Sequence, residues 1–434
     1  MKKVLTVQEY DKITCNEKLK NHKTYHYLDN RSFLELKNYI IDLANNKQYS
    51  NILNFFKISK KRNIGEIITI KNYIGVIQMN NGNQIQIMPK LNFDDDLNDD
   101  YKQTKKVLVN MLRSFNDFQS KSFSLSNIQI ERMNLFEIFI NIYLQEVSNL
   151  TKHGIKADYL YHEGNTNFYK GKLILKEQLR QNLTHNERFY VANDYFTFNR
   201  PENRIIKSTL LKLKKITTDY WNIKKIRQLL RLFNAVDSSI NYARDLSQIT
   251  INRTTHDYEL LIAWSKVILL NYSFSIFCGN NKAQSILFPM DKLFESYVAR
   301  QIKSILSLRG WKVNIQDSRY HLFSEPKKMF ALRPDIVCVK DDIIIVMDTK
   351  WKKLVYNSKN YGISIKDMYQ MYAYSKIYKA KKVLLLFPYY DEIKQLSNTK
   401  FISPDNSQVN LHLINLTNIK VSLLELATKI ERGS

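Results

Sequence analysis

Two aspartates and a lysine near the C-terminal end have the types and spacing of a centre that could cut phosphodiesters. Arg333-Pro334-Asp335-Ile336-Val337-Cys338-Val339 and Ile343-Ile344-Ile345-Val346-Met347-Asp348-Thr349-Lys350 read as two strands joined through Lys340-Asp341-Asp342. With Asp341 and Asp342 as a two-residue loop, Lys340 sits opposite Ile343. Counting outward then sets Asp335 opposite Asp348, with Lys350 on the same face. Opposed side chains have Cβ atoms roughly 5 Å apart and like charges there repel, so the pair asks for a cation between them. A divalent metal held by two carboxylates beside a lysine can polarise a phosphate and activate water. The competing reading is of solubilising acids at strand ends. Against it stands the unbroken apolar run Ile343 to Met347, typical of a strand covered on both faces, which Asp348 interrupts where active-site groups of α/β sheets gather.

Two helices are expected to complete the site. Leu293, Phe294, Val298, Ile302 and Ile305 recur at helical spacing in a helix that begins near Met290, and Glu295 lies off that stripe as a candidate third acid. Downstream, Asp367 to Tyr374 reads as a helix with Gln370 and Tyr374 at i,i+4 on one face, able to hold a phosphate or a water. Alone, Glu295 is equally well a solvated helix glutamate, and a pair such as Gln370 and Tyr374 is more often surface decoration.

Taken in order, Glu295, Asp335, Asp348-Thr349-Lys350 and Gln370-x-x-x-Tyr374 resemble the PD-(D/E)xK nuclease superfamily and the Gln-x-x-x-Tyr helix of its RecB-like branch. Asp348 fills a position where many members carry Glu. The expected fold class is α/β: a restriction-endonuclease-like domain with a mixed central sheet flanked by helices, whose last strand is Lys382 to Pro388, preceded by an α+β N-terminal domain. In that domain Ile67 to Ile70, Tyr73 to Met79 and Gln84 to Met88 read as a β-meander, its last turn at Asn80-Asn81-Gly82-Asn83.

Other stretches resemble McrC, the nuclease subunit of McrBC-type restriction systems. They are Tyr73-Ile74-Gly75-Val76-Ile77, Ile85-Gln86-Ile87-Met88-Pro89-Lys90, and Leu135-Phe136-Glu137 opening a long helix that ends at His153-Gly154-Ile155. Phe168-Tyr169-Lys170-Gly171-Lys172-Leu173 and Asn203-Arg204-Ile205-Ile206-Lys207 follow in the same order. The resemblance spans roughly residues 60 to 390, and the first 50 or so match nothing. It implies a partner, a hexameric AAA+ GTPase that binds the GTP and carries the DNA-recognition domain, with double-stranded DNA as substrate. It also implies Mg²⁺, replaceable by Mn²⁺, on Asp335, Asp348 and the Thr349 carbonyl, with Glu295 joining directly or through water. Lys350 would orient or help deprotonate the attacking water. Residues 1–250 are assigned to docking on the GTPase and 251–434 to the endonuclease. Cutting both strands needs two sites, hence dimerisation of complexes. Two other readings are a catalytically silent scaffold that stimulates a GTPase and an autonomous nuclease.

Composition sets bounds. At 434 residues, two domains are the default. A hydrophobic fraction of 44%, with 27 Tyr and 22 Phe, supports a packed core rather than a disordered chain. The net charge of +25, from 66 basic and 41 acidic residues, favours polyanions. Lys212, Lys214, Lys215, Lys224, Lys225, Arg227 and Arg231 on two helices are the most pointed candidates for a phosphate-contacting face. Cys15, Cys278 and Cys338 lie far apart without metal-ligand spacing, as in a reducing cytoplasm. Met1 to Leu5 is followed by Gln8, Glu9 and Asp11, which is unlike a signal peptide. Leu260 to Phe277 is broken by polar residues and reads as a core helix, not a membrane span. No Gly-x-x-x-x-Gly-Lys-Ser/Thr loop is present, so nucleotide hydrolysis is assigned to the partner. Asp94 to Asp100 reads as a loop before a helix near Tyr101. A boundary is expected near 251–256, where Thr254 or Thr255 caps the next helix. Gly433-Ser434 reads as a cloning remnant.

Overall fold

The computed structural model describes residues 4–20, 22, 24–45, 55–79, 83–91, 97–114, 133–253, 255–270 and 284–432. The expected turn at Asn80 to Gly82, the acids Asp94 to Asp96, Thr254, the stretch after Leu270 with Cys278, and Gly433-Ser434 lie outside them.

In chain order the elements are β1 (Val4–Gln8), β2 (Lys12–Thr14), β3 (Tyr25–Tyr27), α1 (Asn30–Asn45), β4 (Phe56–Lys61), β5 (Gly65–Ile70), β6 (Tyr73–Gln78), β7 (Gln84–Met88) and α2 (Leu97–Ser114). Then come α3 (Leu135–Lys152), β8 (Asp158–Thr166), β9 (Lys172–Leu173), α4 (Leu175–Gln181), β10 (Phe189–Thr197), α5 (Pro201–Ile216), α6 (Tyr220–Leu232), α7 (Tyr242–Gln248) and α8 (Glu259–Leu270). The chain closes with β11 (Gln284–Pro289), α9 (Met290–Ser307), β12 (Lys312–Ile315), β13 (His321–Phe323), β14 (Met329–Ala331), β15 (Ile336–Lys340), β16 (Ile343–Thr349), α10 (Ile365–Ile377), β17 (Lys382–Pro388), β18 (Lys400–Ile402), β19 (Gln408–Ile414) and α11 (Ile419–Arg432).

These elements form two compact units, and the division is not the one expected near residue 250. Residues 1–119, 125–132 and 281–434 form one unit, and 120–124 with 133–280 form the other. The reason is a strand pairing that no local pattern announces: β11 lies antiparallel to β6, with Ile286 opposite Val76, in a four-stranded sheet ordered β1-β7-β6-β11. The N-terminal strands and the C-terminal part therefore share one body. β5, β6 and β7 follow in the expected order, and β6 and β7 pair as a hairpin, but β5 joins a second sheet ordered β3-β2-β5-β4. α2 starts at Leu97, so residues 97–100 are helical rather than part of the expected loop.

The third sheet of this unit holds the candidate site. Its order is β12-β15-β16-β17-β19-β18, antiparallel at both edges and parallel across β16, β17 and β19, which makes it the expected mixed sheet. Val346, Met347, Val383, Leu385 and Leu386 are fully buried or nearly so, and that explains the continuous apolar runs.

In the other unit, several residues that carried the family resemblance do structural work. Glu137, buried at the start of α3, accepts from the Thr218 backbone N–H at 2.8 Å and from Asn222 Nδ2 at 2.8 Å, tying α3 to α6. Asn203 Nδ2 donates to the carbonyls of Lys156 and Phe198, each at 2.8 Å. Gly171, at φ +90°, has the carbonyl oxygen of Ala192 only 2.3 Å from where a Cβ would sit, so no other residue fits. Thr255 stands at the N-cap of a 3-10 turn, His256–Tyr258, that leads into α8, but its side chain makes no capping hydrogen bond and its hydroxyl donates instead to the carbonyl of Thr250. Lys212 drops out of the basic face, because its amine is held down on the carbonyl of Leu269 at 3.2 Å and burial pulls its pKa to about 8. Among the described residues, no helix is long and apolar enough to cross a membrane.

Candidate active site

The site grows from the turn between β15 and β16. Lys340 pairs with Ile343 and Ile336 with Met347, the register expected from a two-residue loop, and Asp341 takes the left-handed φ of 50° that such a loop demands. β15 starts at Ile336, so Asp335 lies just outside the ladder. It does not face Asp348 alone: its Oδ2 accepts from both the backbone N–H and the hydroxyl of Thr349, each at 2.7 Å. Asp348, almost fully buried, takes the Lys350 ammonium on its own Oδ2. Two acids that would repel one another have each found a positive or N–H/O–H partner. Among the described residues, no hydrogen bond falls on Oδ1 of either acid.

The two helices converge here. Gln370 on α10 accepts from Lys350 Nζ at 3.4 Å and donates to the Tyr374 hydroxyl at 2.7 Å, giving a chain Asp348, Lys350, Gln370, Tyr374. Glu295, expected off the apolar stripe of α9, is instead buried. It pairs with Lys292 at 2.8 Å and accepts from Gln316 Nε2. Its field reaches both aspartates. Burial, then the charges of Asp348 and Glu295, push Asp335 up to about 7 against the Thr349 donors. Burial raises Asp348 as well, with Lys350 opposing and Glu295 and Asp367 adding to the rise. Burial disfavours the charge on Lys350, yet Asp348, Asp335 and Asp367 outweigh it and hold the ammonium above its usual range.

This donor set suits a small hard cation. Mg²⁺ commonly uses one or two carboxylates and keeps several waters, and two carboxyl groups crowded in a buried corner, both raised in pKa by burial, are relieved by a divalent charge. Asp335, Asp348 and the Thr349 carbonyl are the groups that would hold it. Among the described residues, no group of three or more His, Cys, Asp or Glu is gathered for a metal, and Glu295 is already engaged by Lys292 and Gln316.

Other parts of the site were not legible in the sequence. Glu9, at the end of β1 and completely buried, accepts from Trp351 Nε1 at 3.0 Å and from the Lys90 N–H at 3.2 Å, and burial drives it up to about 8. Trp351 follows Lys350 directly and packs on Phe294, so an N-terminal residue anchors the strand end that carries Asp348 and Lys350. A lone glutamate in a segment without a motif gives no signal. Lys352 pairs with Asp367 at 2.7 Å and fixes the start of α10, a contact concealed by a separation of fifteen residues.

A mixed sheet with acids, a lysine and a glutamine-tyrosine helix gathered at one strand end is a nuclease-like α/β fold. The chain belongs to the family described as McrBC 5-methylcytosine restriction system component, which it matches over residues 68–388, and is thus a component of a restriction system of the McrC kind. It is similar in structure to a chain in the half-complex of Thermococcus gammatolerans McrB AAA+ hexamers with bound McrC. The TM-score is 0.66 and identity 16%, covering 98% of this chain and 100% of that one. A second match, to the T. gammatolerans McrBC complex, has a TM-score of 0.47 at 17% identity over 70% of this chain and 88% of that chain. No curated protein matches the chain in sequence.

Proposed function

We propose that the chain is the nuclease subunit of a GTP-dependent, McrBC-like restriction complex and hydrolyses DNA phosphodiester bonds with Mg²⁺ in defence against foreign DNA. The observation that carries this is the union, at one strand end, of Asp335, Asp348 and Lys350 with Glu295 within electrostatic reach and Gln370 hydrogen-bonded to the lysine. When bound, the metal would supply Lewis acidity to the phosphate and lower the pKa of a water. Lys350, held as an ammonium, is unsuited to removing a proton; it orients the water and offsets charge on the phosphate. Gln370 and Tyr374 fix its amine, while the Thr349 donors fix Asp335. In hydrolysis the water oxygen bonds to phosphorus, the bond to O3′ breaks, and that oxygen leaves with a proton, giving a 5′-phosphate and a 3′-hydroxyl.

The relative from T. gammatolerans is bound to McrB AAA+ hexamers, and we assign this chain an equivalent GTPase partner that binds the GTP. The test is a reconstituted complex with its GTPase, GTP, Mg²⁺ and plasmid DNA. Asp348→Ala and Lys350→Ala should abolish cutting and leave assembly intact. Cutting by the Asp348→Ala complex refutes the site. No cutting by the wild type in any metal supports a silent scaffold, and cutting by the isolated chain supports an autonomous nuclease.

A further inference from the structure

A cavity lies in the same unit, away from the acids. It measures about 460 Å³ and is bounded by β17, β18, β19 and α11. Register places it on the other face of the sheet. Asp348 pairs with Leu385, whereas Leu384 pairs with Met347 and with Asn410, and Leu386 with His412; successive side chains alternate, so Leu384, Asn410 and His412 share the face turned from Asp348. Along the strands it runs from Lys382, level with Ile345, to His412, level with Thr349, so the separation from the acids is across the sheet.

Its lining has three chemistries. Lys382, Lys400 and Lys429 bring three ammonium groups from three elements, and among the described residues no carboxylate lines the cavity. Burial, then the charges of Lys381 and Lys400, lowers the pKa of Lys382. At the floor, His412 is only 7% exposed, and its Nε2 and the Oδ1 of Asn410 are buried without a hydrogen-bond partner. Such atoms are unfavourable to bury unless a partner arrives. Burial, then Lys429, lowers His412 to about 4, so its ring is neutral near pH 7. Leu384, Leu426 and Ile430 supply the third chemistry, an apolar wall.

We infer that this cavity is a second binding site, for a small phosphate ester of nucleotide size. The lysines match the phosphate. His412 and Asn410 match hydroxyl or amine groups of the remainder, and the leucines and isoleucine a flat or apolar ring. The volume lies within the roughly 300–1,000 Å³ range of small-molecule sites.

The test is titration calorimetry on the full chain in excess chelator, which removes metal-assisted phosphate binding at the acids. The probes are deoxyadenosine 5′-phosphate, deoxyadenosine and inorganic phosphate. The nucleotide should bind saturably, about ten-fold or more tighter than either fragment. Lys400→Ala and Lys429→Ala, both at exposed positions that leave the fold intact by circular dichroism, should each weaken it about ten-fold, the loss of one charge-assisted contact. His412→Leu should weaken nucleotide and deoxyadenosine alike, and Lys350→Ala should change nothing. The inference is overturned by absence of saturable binding, by wild-type binding in both lysine variants, or by loss of binding in Lys350→Ala, which would return the nucleotide to the acidic site. Phosphate binding as tightly as the nucleotide overturns the assignment of the apolar wall.

Discussion

Replacing Asp335 with asparagine should stabilise the metal-free protein while destroying cleavage. Asparagine can still accept from the Thr349 N–H and hydroxyl, which both fall on one oxygen of the native side chain. What it removes is a buried charge beside Asp348 and Glu295. Asp335 is raised from its ordinary 3.8 to about 7, so the folded state holds the proton more tightly than the unfolded chain does. Wild-type stability therefore falls as pH rises from about 4 to about 7 and stays low above that. At 1.36 kcal/mol per pH unit the full loss is about 4 kcal/mol, and partial exposure to solvent reduces it to the order of 2–4 kcal/mol. In a unit of this size that is roughly 4–16 °C in Tm. Scanning calorimetry of wild type and Asp335→Asn in chelator, at pH 5 and pH 8.5, measures it. The variant should gain on the wild type between the two pH values, and added Mg²⁺ should narrow the gap at pH 8.5 by stabilising only the wild type. A difference that does not change with pH, or a variant less stable at pH 8.5, refutes the electrostatic account of the site.

Three further outcomes follow from the same geometry. Mg²⁺ affinity should rise from pH 6 to pH 8 as Asp335 loses its proton, and binding at pH 6 should release protons; calorimetric heats identical in buffers of different ionisation enthalpy at pH 6 count against this. Gln370→Ala should lower kcat about 10- to 100-fold with little change in KM, because the lysine loses its positioning partner; an unchanged kcat removes Gln370 from the site. Trp351→Phe should cost about 1–3 kcal/mol in urea unfolding, since buried Glu9 loses its indole donor, and a cost below a few tenths would show the contact to be idle.

The site was legible where its residues are close in sequence or follow a period. The turn at Asp341-Asp342 fixes the register of β15 and β16, and with it the approach of Asp335 to Asp348-Thr349-Lys350. The i,i+4 spacing of Gln370 and Tyr374 likewise gives their contact directly. What periodicity could not supply was burial of a charged residue by distant elements. Glu295 sits off an apolar stripe, yet Gln316 and Lys292 enclose it. The grip of the Thr349 N–H and hydroxyl on Asp335 is likewise a contact that no spacing announces. Non-local pairing hid the rest: β11 finds its partner in β6 about two hundred residues upstream, and Glu9 finds Trp351, so the division of the chain into compact units could not be read from composition.

The pairing of β11 with β6 has a practical consequence. A fragment starting near residue 251 would carry the acids and the lysine but leave β11 with a bare edge, Met290 without the Asn72 carbonyl that receives its N–H at 3.2 Å, and Trp351 without Glu9. Such a fragment is expected to aggregate rather than cut. Residues 133–280, by contrast, make up most of a compact unit of their own, so shortening that stretch should leave the β11–β6 pairing in place.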